Sequence, residues 1–177
     1  MKRSFPRNTL AAFLFVAVLL LIISPFTEPS GTFKDLDGTV GVMDHWDLWS
    51  SVNPMAGAVF AFGDMFCHQM FSRSFVLNGS QTAVCMRDLA TMTGMLIGSV
   101  AMNFVSEKTV SERRFLIIAV VLLVPAVIDW SVQFATGYDS SASRVITGTL
   151  LGIAFAMFIE LLVQRMFNPS LRYGRPQ

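Results

Sequence analysis

Four runs of apolar residues divide the chain, at about 9–26, 89–105, 115–131 and 145–167. In order they read TLAAFLFVAVLLLIISPF, LATMTGMLIGSVAMNFV, FLIIAVVLLVPAVIDW and VITGTLLGIAFAMFIELLVQRMF. About 20 helical residues cross a hydrocarbon core ~30 Å thick, so the runs predict membrane helices, the second and third needing an extra turn or a thin span. The first follows MKRSFPR and also has the outline of a signal peptide. Its apolar run is long for one, and ISPFTEPS is a poor small-x-small cleavage site, so retention as a helix is expected. A fifth apolar stretch, PMAGAVFAFGDMFCHQMF, begins at Asn53-Pro54, an N-cap followed by proline in the first turn. Asp64 and His68 interrupt it, which leaves crossing, lying at the surface and dipping into the bilayer open.

The basic residues choose among these paths. With four spans and the N-terminus inside, Lys2, Arg3, Arg7, Lys108, Arg113, Arg114, Arg165, Arg172 and Arg175 are cytoplasmic, and Lys34, Arg73, Arg87 and Arg144 are outside. Nine against four agrees with the positive-inside rule, whereas a fifth crossing gives six against seven. The expectation is an all-α integral membrane protein, one membrane domain over residues 1–177. Four transmembrane helices are joined by an outer interfacial or re-entrant helical segment within residues 27–88. The chain is then a multi-pass plasma-membrane protein with both termini cytoplasmic. A composition 53% hydrophobic and 14% charged supports this, and a net charge of +1 leaves no electrostatic footprint for nucleic acid. The bilayer is the first partner implied.

Smaller patterns add detail. Thr93-Gly94 begins TGMLIG and Thr147-Gly148 begins TGTLLG, each a Gly-x-x-x-Gly face of the kind that lets helix backbones approach. In the four-span path both helices run the same way, so Gly94/Gly98 are expected against Gly148/Gly152, bringing Arg87 near Arg144. The alternative is that these faces meet lipid, a second copy of the chain or a partner membrane subunit. Trp46 and Trp49 have the spacing of an interfacial anchor, and Asn78-Gly79 suits a turn with positive φ.

Polar residues collect at the expected outer ends of the helices: Asp64, Cys67, His68, Gln69, Arg73, Arg87, Asp88, Asp129, Gln133 and Arg144. A carboxylate at Asp129, closing an apolar run, needs a charged partner or a wet cavity, and Arg87 or Arg144 is the natural one. Asp129 and Gln133 are four apart and share a helix face. Glu160, near the opposite end of its run, is expected to snorkel or pair with Arg165.

Only Cys67 and Cys85 are present, which rules out a disulfide-rich scaffold or a four-cysteine zinc site within one chain. On an oxidising side the pair suits a disulfide, contributing roughly 3 kcal/mol by loop entropy. Cys67, His68 and Cys85 as metal ligands, completed by Asp64, Asp88 or His45, are the alternative, although adjacent Cys-His is an awkward chelating pair. A nucleophilic cysteine with His68 as base is a third reading, and haem ligation by His45 and His68 lacks a C-x-x-C-H. The cofactor therefore stays open, with a metal as the disfavoured option.

CHQ from Cys67, RSF from Arg73, AVC-x-R ending at Arg87, Asp129 with Gln133, and R-x-x-TG from Arg144 together resemble the small membrane proteins grouped as domain of unknown function 2085. The resemblance covers about Asp64 to Gly152. Met70 and Phe71 stand where a proline often follows the His-Gln pair, Trp130 where a glycine usually follows the Asp, and Ser141 where Asn is common. The resemblance implies the architecture and the grouping of polar residues, and it implies no reaction.

Two functions follow. In the first, an outward-facing site binds or processes an anionic lipid or small anion. Arg73, Arg87, Asp88, Gln69, Gln133 and Arg144 contact the ligand, His68 serves as acid or base, and Asp129 orients. In the second, the chain is a structural or accessory subunit whose polar cluster is a disulfide-stapled cap. No Gly-x-x-x-x-Gly-Lys loop is present to energise a pump.

Overall fold

Uncapped apolar sequence of this kind satisfies its backbone in a bilayer only as helix, and the chain is 71% helical. The computed structural model describes residues 4–104, 112–138 and 140–167. The long helices are α1 (Ser4–Ile23), α5 (Glu112–Thr136) and α6 (Ser141–Phe167). Between α1 and α5 lie α2 (Trp46–Ser51), α3 (Pro54–Phe66), strands β1 (Val76–Leu77) and β2 (Ser80–Gln81), and α4 (Met86–Ala101). Among the described residues, three stretches are long and apolar enough to cross a membrane: Asn8–Phe26, Arg113–Thr136 and Ser141–Val163.

The second expected span falls short of that length. Its helix, α4, has 16 residues and ends in a turn at 102–104. Val105, Lys108 and the other markers Lys2, Arg3, Arg172 and Arg175 lie outside the described residues. The shortening has a local cause: Arg87 and Asp88 occupy the first turn of α4, and Asn103 follows its last, so the apolar length between polar ends is small. The fifth stretch is α3, 13 residues, too short to cross. Asn53 caps it, its side chain accepting from the Met55 N–H at 2.9 Å, with Pro54 in the first turn.

The centre of the bundle is the α4–α6 pair. Gly94 meets the backbone of Thr149 and Gly152 that of Thr91 so closely that a Cβ at either would collide with a carbonyl oxygen. A Cβ on Gly98 would stand 2.7 Å from that of Ala156, and one on Gly148 2.7 Å from the Arg87 carbonyl oxygen. Contacts that advance together along both helices make the pair parallel. The four glycines are thus used inside the chain, and their faces are not surfaces for a partner. Helix α1 packs on α4, and α5 on α6.

Residues 27–88, expected as an outer interfacial or re-entrant helical segment, form a folded cap with its own core. Phe33 stacks on Phe60 at 3.8 Å, and Trp49 on Phe60 at 5.5 Å. Leu36, Ala56, Ala83 and Val84 fill in around them, against Val18 and Leu21 of α1 and Leu89 of α4. Trp49 is therefore a core residue, 3% exposed, and only Trp46 has the exposure an interfacial anchor requires. Asp64, fully buried, holds the cap's chain crossing: it accepts from the Trp49 indole N–H at 2.9 Å and from the His45 backbone N–H at 3.1 Å. The turn at Asn78-Gly79 has positive φ at both residues, 52° and 66°, as a two-residue hairpin turn requires. The Asn78 amide donates to the carbonyls of Pro25 and Glu28, fastening the hairpin to the end of α1.

Because the collision at Gly94 or Gly152 is with backbone, no side-chain rotation relieves it. Gly94→Ala or Gly152→Ala is expected to cost about 1–3 kcal/mol, read as a lower unfolding midpoint in detergent.

Candidate functional site

The N-terminal turns of α4 and α6 lie side by side because their glycines permit it, and each turn carries an arginine, Arg87 and Arg144. A positive charge in a first helical turn opposes the helix dipole, so these positions are electrostatically unfavourable unless something negative faces them. Asp129, on α5, does. Its carboxylate, 9% exposed, accepts from Arg87 Nη2 at 2.6 Å and from Gln133 Nε2 at 2.7 Å. Ser143 Oγ also donates to it, and Thr147 Oγ1 lies 3.3 Å away while donating to the Ser143 carbonyl at 2.8 Å. Gln133 turns its carbonyl oxygen to Arg144 Nη2 at 3.2 Å. The network ties the ends of three helices together.

Above it opens a cleft of about 430 Å³ lined by Arg73, Cys85, Arg87, Asp88, Trp130, Gln133, Phe134 and Arg144. Arg144 is buried, whereas Arg73 is exposed on the short 3₁₀ turn at Phe71–Arg73. Trp130 and Phe134, four apart on α5, stack at 5.9 Å and form one wall.

Of the residues proposed from sequence, Arg73, Arg87, Asp88, Gln133, Arg144 and Cys85 line this cleft, with Asp129 beneath it. His68 and Gln69 do not. His68 is exposed, its Nδ1 2.9 Å from the Gly38 carbonyl oxygen. Gln69 is fully buried, with positive φ, and donates its amide N–H groups to the carbonyls of Phe60 and Ala83, both at 3.0 Å. It fixes the chain between α3 and α4, away from the cleft lining. Their expected place at the outer helix ends grouped both residues with the arginines; the extended backbone at Cys67 sends them elsewhere. Ser143, Thr147, Trp130 and Phe134 were missed. Helical spacing held the signal, since Ser143 and Thr147 are four apart on the face beside Arg144.

The cysteines are thiols 3.9 Å apart. The Cys85 N–H donates to Cys67 Sγ at 3.2 Å, and the Cys85 thiol to Asp88 Oδ2 at 3.1 Å. Hydrogen bonding from Cys85 lowers the Cys67 pKa below its ordinary 9.0, outweighing burial, while the same bond, burial and the Asp88 charge push Cys85 well above it.

Residues 67–158, which hold all of this cleft's lining, match the family described as predicted membrane protein (DUF2085). The chain belongs to that family. It is 30% identical over 117 residues to an uncharacterized protein of Methanocaldococcus jannaschii, a match covering 64% of this chain and 71% of that relative. No solved structure matches the chain. The DUF2085 match begins at Cys67 and ends within α6, so it leaves out α1, α2 and α3. In this DUF2085 protein the predicted membrane character and the three long apolar helices agree.

Two outcomes are expected. Asp129→Asn removes the charge that Arg87 and its neighbours surround, and is expected to cost about 1–3 kcal/mol in the unfolding midpoint. In the thiols, a rising pH takes the proton of Cys67 below its ordinary value while Cys85 keeps its own. Thiolate absorbance should therefore show one ionisation below the usual thiol range and no second within it, and Cys67→Ser should remove that step.

Proposed function

We propose that the cleft binds an anionic group at the membrane surface, either a lipid phosphate or a small carboxylate. One observation carries the reading: three arginines, Arg73, Arg87 and Arg144, line one cleft. Two parallel helix N-termini, at Met86 and Ser141, add their partial positive charge at the same end. Guanidinium groups grip phosphate and carboxylate with two parallel bonds, which suits this residue choice. The aromatic wall of Trp130 and Phe134 gives an acyl chain or glycerol backbone an apolar surface beside the charged end.

In this reading the chain takes the four-span path, with α4 as its short fourth crossing. The cleft then faces outward at the plasma membrane and both termini face the cytoplasm, supported by the nine-to-four charge count. No reaction is assigned, because His68 stands off the cleft and Asp129 is held within the ion-pair network. A second reading, a structural or accessory subunit, is favoured by α5. Only 11% of its apolar window is buried within the chain, so a large helical face is open to lipid, to a second copy or to another membrane protein.

Purified protein in detergent is expected to retain phosphatidylglycerol in preference to phosphatidylcholine in native mass spectrometry, with inorganic phosphate competing. Arg73→Ala and Arg144→Ala should each weaken retention about tenfold or more, the value of a charge-assisted bond. Equal retention of both lipids, unchanged by either substitution, would sink the proposal.

A further inference from the structure

At the edge of the arginine cleft, Cys85 and Asp88 of its lining meet Cys67, and the anion reading has no use for the two thiols. Cys67 Sγ, Cys85 Sγ and a carboxylate oxygen of Asp88 all lie within 4.8 Å of one another. The separation of the cysteine pair, 3.9 Å, is close to the edge of a tetrahedron of thiolates about 2.3 Å from a zinc-type ion, roughly 3.8 Å. We infer that Cys67, Cys85 and Asp88 form a binding site for one zinc-type divalent cation, with its fourth position open to the cleft.

The scaffold around the donors is set in advance. Cys67 follows α3 directly, its N–H bonded to the Gly63 carbonyl at 2.8 Å, and the next residues are locked by the buried Gln69 amide. Cys85 is the N-cap of α4 and Asp88 lies one turn on, so the two share a helix face, with Cys85 Sγ 3.1 Å from Asp88 Oδ2. The Cys85 N–H directed at Cys67 Sγ is the kind of outer contact that holds a ligating thiolate in place. Two thiolates with a carboxylate suit a borderline-soft dication better than calcium or magnesium. The bound set carries one negative charge, which Arg73 and Arg87 on the same cleft offset. The third ligand is Asp88 and not His68, whose ring is engaged with Gly38.

The site stands independently of the anion reading, although an anion held by the arginines would lie where a fourth ligand belongs. The test uses the reduced, metal-stripped full chain in detergent, titrated with cobalt(II). One equivalent should bind with the visible bands of tetrahedral cobalt and a thiolate charge-transfer band, and zinc(II) should displace it. Cys85→Ser should abolish the spectrum, Asp88→Asn should weaken binding about tenfold or more, and His68→Ala should leave it unchanged, all at parental helicity by circular dichroism. A folded, reduced chain that shows no such spectrum, or an Asp88→Asn variant that binds like the parent, overturns the inference. Arg144→Ala separates the two readings. It should keep the cobalt spectrum while losing phosphatidylglycerol, and lipid retention in that variant would count against the anion site alone.

Discussion

The backbone contact between α4 and α6 governs everything at the polar end of this protein. Two parallel helices approach so closely at Gly94, Gly98, Gly148 and Gly152 that no Cβ fits between them. Parallel packing in register puts both N-terminal turns at one level, and each turn bears an arginine. Like charges brought together in this way need a counter-ion, and Asp129 supplies it from the third helix. The carboxylate and the glycines are therefore parts of one arrangement. Without the close approach, Arg87 and Arg144 would not join one network through Asp129 and Gln133, and without Asp129 the approach would set two guanidiniums against two positive helix ends.

The cap serves the same end by different means. It contains too little regular structure to satisfy its backbone with helices and sheets, so buried side-chain amides do the work. Gln69 bridges Phe60 and Ala83, and Gln81 reaches the Leu36 N–H and the Gln69 carbonyl. These bonds sit in a core of Phe33, Trp49 and Phe60, where unmade hydrogen bonds are expensive. They place Cys67 opposite Cys85, which lines the arginine cleft.

How far the sequence disclosed this depended on whether the information was periodic. Three long apolar runs, the paired glycine motifs and the Asp129–Gln133 face were readable because helices repeat their contacts every three or four residues. The second run read as a span of full length, and it is a helix of 16 residues whose polar ends encroach on it. The cap was opaque: Phe33 and Leu36 are isolated apolar residues in an acidic stretch, and their burial depends on partners some 45 residues away. Trp49 went astray for the same reason, since the buried Asp64 that receives its indole is not visible as a partner at that distance. His68 and Gln69 were grouped with the arginines by their expected depth at the outer helix ends, and depth does not say which way an extended chain turns its side chains.

The order of the residues around Asp129 also bears on how the chain is made. Arg87 lies 42 residues before it, so a guanidinium is already present when α5 emerges. Ser143 and Thr147 come 14 and 18 residues later, on a helix not yet synthesised. During biogenesis the carboxylate thus enters the bilayer region with its first partner waiting and its remaining donors still to come. Helix α6 brings those later donors and completes the solvation of the carboxylate.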